Sequence, residues 1–148
     1  MDVEKVTLIK TTFYVCICTI GGFISPLLGG WDYLIHALVI CSIIDYFSGG
    51  AVAVVFKNSP KTETGGAQSN AGFKGLVKKI YLYLMIMVIV QIDIVVNSNG
   101  FLRNAAILGF MTNEVLSIVE NLGLMGMKMP PAVINAIDIL KIKSQEKE

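Results

Sequence analysis

The chain has 148 residues, 54% of them hydrophobic and only 16% charged, where an ordinary soluble domain carries about 25% charged residues. That balance makes a membrane protein the first expectation and leaves little room for an independent soluble domain beside three or four spanning helices. A net charge of +1, with the lysines gathered in loops rather than along an aromatic-rich surface, gives no reason to expect nucleic acid as a partner.

The first ten residues are polar and mixed in charge, and an apolar run from Phe13 to Leu28 follows, the main part of a segment set at about 8–28. A basic start before an apolar run is also the plan of a signal peptide. Asp2 and Glu4 dilute the basic start, the run is long, and no A-x-A-like site stands out, so a retained helix is expected. Gly21 and Ser25 sit four apart, as do Cys18 and Gly22, which gives this helix a face small enough for another helix to approach. Pro26 should kink or stop it. Cys16, Cys18 and Cys41 all lie in apolar runs, where a thiol acts as a small hydrophobe. The two sulfurs of Cys16-x-Cys18 fall on nearly opposite faces of a helix, which argues against a bridge or a metal pair, and no cofactor is expected.

Gly29-Gly30 is a turn without a basic residue, and Trp31 and Tyr33 after it suit the headgroup region. The second apolar segment is placed at 34–56. On a helix, Leu38, Ser42, Asp45, Gly49 and Ala53 share one narrow face, the pattern of a helix-packing seam. His36 is about half a turn out of phase with Asp45 and reads as an interfacial residue rather than a proton relay.

Residues 57–79 are rich in Gly, Ser, Asn and Lys and are expected to form a mobile loop. Lys57, Lys61, Lys74, Lys78 and Lys79 face a single acid, Glu63, so the positive-inside rule puts this loop in the cytoplasm together with both termini. No GxxxxGK[ST] spacing is present, and a linker is expected rather than a phosphate site. The third apolar segment, 80–96, opens with Tyr81 and Tyr83 and carries Gln91 and Asp93 toward its far end. Asp93 fits either the headgroup region or the bundle interior. The turn 97–100 falls outside by alternation, and Arg103 is a basic residue on the wrong side of that scheme.

The fourth segment, 102–122, is the unusual one. Wound at about 100° per residue, it places Ala106, Gly109, Asn113, Ser117, Glu120 and Asn121 on one face, with Glu114 at the edge. A charged residue at the centre of a bilayer costs about 2.5–3.5 kcal/mol even on lenient scales, so this helix needs neighbours or water. Pro130-Pro131 breaks it. In the tail, 130–148, Val133, Ile137 and Leu140 share a face and Lys141, Lys143 and Lys147 follow. A short amphipathic helix lying on anionic lipid is expected there, with an ordinary solvated tail as the alternative. The fold class is therefore all-α: a polytopic membrane protein of four, or three, transmembrane helices with a short C-terminal amphipathic helix, in one domain.

No enzyme is expected, because one His, no HExxH and no nucleophile elbow leave little for hydrolysis or metal chemistry. Asp45, Asp93, Glu114 and Glu120 lie within or at the ends of apolar segments, and such acids mark partners, cavities or ion paths. They are satisfied either within one bundle or between copies, and the small and polar seams favour lateral association.

Asn113-Glu114, Ser117-Ile118, Glu120-Asn121, Gly123 and Pro130 resemble, in that order, the signature of the small phage holins, a family that includes toxin-secretion proteins of Gram-positive bacteria. Asp45 with Gly49, and Ser69, Gly72, Gly75, Lys78 and Lys79 ahead of the run containing Asp93, are similar too, so the resemblance covers roughly 45–140. It implies a homo-oligomer in the bacterial cytoplasmic membrane that opens lesions and releases a cell-wall hydrolase or a large toxin. In that picture Gly109, Asn113, Glu114, Ser117, Glu120 and Asn121 line the lesion or the contact between subunits. A small ion- or proton-coupled transporter using Asp45, Asp93 or Glu114 is the rival reading, weakened by the lack of an inverted repeat. A regulatory antiholin is another.

Overall fold

The computed structural model describes residues 3–62 and 64–135, apart from the side chains of Ile17 and Ile20. Over these residues the regular structure is helical: α1 at Val3–Leu27, α2 at Tyr33–Val54, α3 at Ser69–Val96 and α4 at Phe101–Leu124. Residues 131–135 start a further helical turn after Pro130, and the rest of the expected amphipathic tail lies outside the described residues.

Three helices, α1, α2 and α3, are long and apolar enough to cross a membrane. Even α2, with 22 residues, spans about 33 Å at 1.5 Å per residue, which matches a hydrocarbon core of about 30 Å. At 24 residues α4 is also long enough, but Arg103, Glu114, Glu120 and its asparagines keep it from qualifying on apolarity.

The turns explain the helix ends. After Pro26, Gly29 and Gly30 take φ of +75° and +99°, and their N–H groups donate to Pro26 and Ser25 carbonyls at 3.0 and 2.9 Å, a glycine C-cap. Asp32 then caps α2, its carboxylate accepting from the Ile35 N–H at 3.0 Å. At the other turn Asn97 closes α3 in the left-handed region, with Ser98 N–H bonded to the Asp93 carbonyl. The Asp93 side chain reaches over the start of α4 and accepts from Ser98 Oγ, Gly100 N and Leu102 N at 2.5, 2.7 and 2.8 Å, and from Arg103 N at 3.3 Å. Those amide donors have no carbonyl of their own helix to meet, and a carboxylate there also suits the helix dipole. Asp93→Ala should therefore cost about 1–2 kcal/mol, read as faster amide exchange over residues 98–104 and a lower melting temperature in detergent. Unchanged exchange would refute the cap.

The basic stretch departs from expectation. Helix α3 begins at Ser69, so residues 69–79 are helical and the loop is confined to 55–68. This part of α3 packs beside α2: the Tyr46 ring and hydroxyl lie 3.8–3.9 Å from where side chains at Gly72 and Gly75 would begin. The loop itself folds on its own backbone rather than forming a featureless linker. Ser59 is buried and its N–H donates to the Gly65 carbonyl at 2.9 Å, while Asn58 Nδ2 reaches the Leu124 carbonyl at 3.1 Å and ties the loop to the end of α4.

Helices α2, α3 and α4 pack together, most extensively α2 against α4. Near the two short turns the core is apolar, built from Leu28, Ile35, Leu38, Ile86, Val90 and Ile107. Toward the 55–68 loop it becomes polar. By contrast α1 stands apart: its apolar stretch is unburied, and nothing lies within 4 Å of the Cβ positions of Gly21 and Gly22. Among the described residues Gly21 and Gly22 of its small face have open space beside them and Cys16 and Cys18 are exposed, while Ile24 near its end packs against the apolar core.

Candidate functional site

The seam on α2 supplies the first half of a polar cluster. Ser42 and Asp45 are buried, Gly49 and Ala53 half-buried, and the Asn121 amide of α4 lies 3.6 Å from where a Gly49 side chain would begin. Asn121 is 5% exposed, and its Nδ2 donates to Ser48 Oγ at 2.9 Å and to Asp45 Oδ1 at 3.2 Å. About two turns earlier in α4, Glu114 is 6% exposed. Between the two acids comes Lys79 of α3, its Nζ donating to Asp45 Oδ2 at 2.5 Å and to Glu114 Oε2. One ammonium thus bridges two carboxylates drawn from the other two helices, so three helices meet at one ionic knot.

A second polar cluster sits at the turn end. Arg103 is 6% exposed and donates from Nε to the Leu28 carbonyl at 2.7 Å, from Nη2 to the Gly30 carbonyl at 3.1 Å, and from Nη1 to Asp32 Oδ2 at 2.7 Å. The guanidinium hydrogen-bonded to Asp32 holds that carboxyl below its usual range. Arg103 is thus a staple joining the α1–α2 turn to α4, and not a stray loop charge. The close approach also explains Gly29: a Cβ there would stand 2.7 Å from Arg103 Nε.

The stripe expected on α4 is divided by the fold. Glu114 and Asn121 face inward with Arg103 and Ile107, and Ser117 is half-buried. Gly109, Asn113 and Glu120 are exposed on the side turned away from α2. Helical phase accounts for the division, since the stripe is about 140° wide and the bundle covers only one edge of it. Glu114, expected at the margin of the stripe, is therefore central to the inward face. Among the basic residues, Lys57, Lys61, Lys74 and Lys78 are exposed as a loop or helix-end cation should be, while Lys79 is in the knot. Asp93 caps α4.

Two of these roles were missed from sequence, and each had a signal. Two acids in apolar segments call for a cation, and Lys79 is the basic residue at the edge of the third apolar run. An arginine just inside an apolar segment likewise needs acceptors, which Arg103 finds in turn carbonyls.

The residues in and beside the knot are among those that carry the resemblance: Asp45 and Gly49, then Lys79, then Glu114 and Asn121. The pattern that defines the bacteriophage holin family matches residues 22–142. This chain belongs to the bacteriophage holin family. As a holin-family chain it is also similar to a probable holin of Bacillus phage phi105, 31% identical over 121 residues, which is 82% of this chain and 83% of that protein. An uncharacterised protein of Listeria monocytogenes is 34% identical over 128 residues, 86% of each chain. A Bacillus subtilis protein, YqxH, is 31% identical over 120 residues, 81% of this chain and 79% of its own. No solved structure matches the chain. The family match begins at Gly22, near the end of α1, so the holin pattern falls on the packed bundle rather than on the helix that stands apart.

Proposed function

We propose that this chain acts by assembling with copies of itself in the bacterial cytoplasmic membrane and opening a lesion through which a cell-wall hydrolase, or a large toxin, leaves the cell. Both termini and the 55–68 loop with Lys57 and Lys61 lie on the cytoplasmic side, as the positive-inside rule directs. The single observation that carries the reading is the outward face of α4. Asn113 and Gly109 are exposed on α4, beside the exposed apolar Leu108 and Val115, and in our reading α4 crosses the bilayer as the fourth span. An amide facing hydrocarbon is costly, whereas against another subunit or against water it is satisfied. In the resting assembly this face packs on a neighbouring copy. In the open state the face lines water, and the inward edge with Glu114 and Asn121 joins it once the knot parts.

A second reading has one observation in its favour. Asp45 and Lys79 border two grooves, of about 220 and 520 Å³, so an ionisable cluster is next to open space on either side of α3. That arrangement suits an ion or proton carrier. Induced expression in a bacterium, alone and together with a cytoplasmic wall hydrolase, separates the two. The hole-forming account expects dye entry and arrested growth from the chain alone, and collapse of culture density when the hydrolase is present. Continued growth with an intact permeability barrier at high expression would overturn it, and movement of one small solute without lysis would favour the carrier. Asn113→Leu should shift the onset of lysis by tens of per cent or more, and unchanged onset at equal protein level would remove the outward face from the mechanism.

A further inference from the structure

Between α3 and α4 runs the larger groove, about 520 Å³, within the range of roughly 300–1,000 Å³ typical of ligand sites. Its walls change character along its length. At the end nearer the 55–68 loop they carry Lys61, Lys78 and the half-buried Ser117, and at the other end Leu82, Met85 and Phe110, with the exposed Asn113 amide between the two ends. From Lys78 to Met85 on α3, and from Ser117 to Phe110 on α4, the separation is seven residues, a rise of about 10 Å along each helix. The acids that also border the groove, Asp45 and Glu114, are bonded to Lys79, so Lys61 and Lys78 leave its mouth cationic. Cations at one end and aliphatic and aromatic walls about 10 Å deeper match the order of charge and hydrocarbon in a lipid, not that of a small soluble anion.

We propose that this groove binds an anionic phospholipid, with its phosphate at Lys61 and Lys78 and an acyl chain lying along Leu82, Met85 and Phe110. The site stands whether or not the chain forms holes. Its occupant lies against the Asn113 edge of α4, leaving Gly109 outside the groove for the neighbouring copy, and holds α3 and α4 at their present separation.

The test uses the full-length protein reconstituted in nanodiscs of equal phosphatidylglycerol and phosphatidylcholine, extracted into mild detergent, with retained lipid counted by native mass spectrometry. Phosphatidylglycerol should be retained at least five-fold over phosphatidylcholine, and the Lys61→Gln/Lys78→Gln pair should remove that preference. The Lys57→Gln/Lys74→Gln pair, equal in charge change but on exposed residues outside the groove, should alter retention less than two-fold. If the first pair loses helix content by circular dichroism, Lys78→Gln alone replaces it and should lower the preference at least two-fold. Equal retention of the two lipids, equal loss in both lysine pairs, or displacement of the lipid by millimolar glycerol phosphate would overturn the proposal.

Discussion

Replacing Lys79 by Met should be the most damaging single substitution in the bundle, lowering stability by about 3–5 kcal/mol. The ammonium is 18% exposed and bridges the carboxylates of Asp45 and Glu114, which are 10% and 7% exposed. Without it two acids from facing helices are left together with no cation between them, and a like pair of largely buried carboxylates is costlier than the loss of packing from the lysine stem. The decisive comparison is with the neutral triple variant Lys79→Met, Asp45→Asn, Glu114→Gln. It keeps shape, and polar amides at 45 and 114 that can bond to each other or to water, while removing every charge, so it should recover most of the loss. Thermal unfolding in detergent, followed by helix signal, reads both. A triple variant no more stable than Lys79→Met would mean that the knot works through the lysine's packing and not through its charge.

The second large effect is expected at Arg103. Its guanidinium holds two turn carbonyls, Asp32 and the neighbouring Asn104 side chain, and Arg103→Leu removes all four bonds at once while leaving the Leu28 carbonyl acceptor buried. Hydrogen bonds from a charged donor contribute about 1.5–3 kcal/mol each in isolation and less than additively together, so a loss of about 3 kcal/mol is expected. Asp32 is half-exposed and its own bond to Arg103 is screened by water, so Asp32→Asn should cost far less than Arg103→Leu. Cleavage of the 28–32 turn by a protease added to the reconstituted protein tests this. It should accelerate strongly in Arg103→Leu and little in Asp32→Asn, and equal cleavage in the two variants would show that the ion pair, not the carbonyl bonds, holds the turn.

The helical class and the family were legible because they rest on local signals: long apolar runs broken by Gly29-Gly30 and by 97–100, and motifs in a fixed order ending at Pro130. The start of α3 was not. Residues 69–79 look like loop in composition, and the contacts that accompany their helix, Tyr46 against Gly72 and Gly75 and Lys79 between Asp45 and Glu114, join distant parts of the chain. The same limit applied to α4. Its helical wheel shows that Asn113, Ser117, Glu114 and Asn121 lie within one sector, but a wheel carries no compass, and the bundle could have lain at either edge of that sector. What decided it is the lysine. Lys79 falls in register with Asp45 and Glu114 only once α2, α3 and α4 are assembled, so the partner that draws Glu114 inward is invisible in any single segment. Arg103 was read through topology statistics as a misplaced charge, when its surroundings are the carbonyls left by the glycine turn 75 residues earlier in the chain.

The central claim, that copies of this bundle open a passage wide enough for a folded protein, is tested most directly by release of a folded cytoplasmic enzyme. Cells that retain their wall should be induced to make this chain together with a small enzyme lacking any export signal, and a small dye should be followed alongside the enzyme activity in the space outside the membrane. The account predicts abrupt release of the enzyme at the moment the dye enters. Dye entry with every unit of enzyme activity still retained inside would contradict it, because the passage would then be an ion- or solute-sized channel.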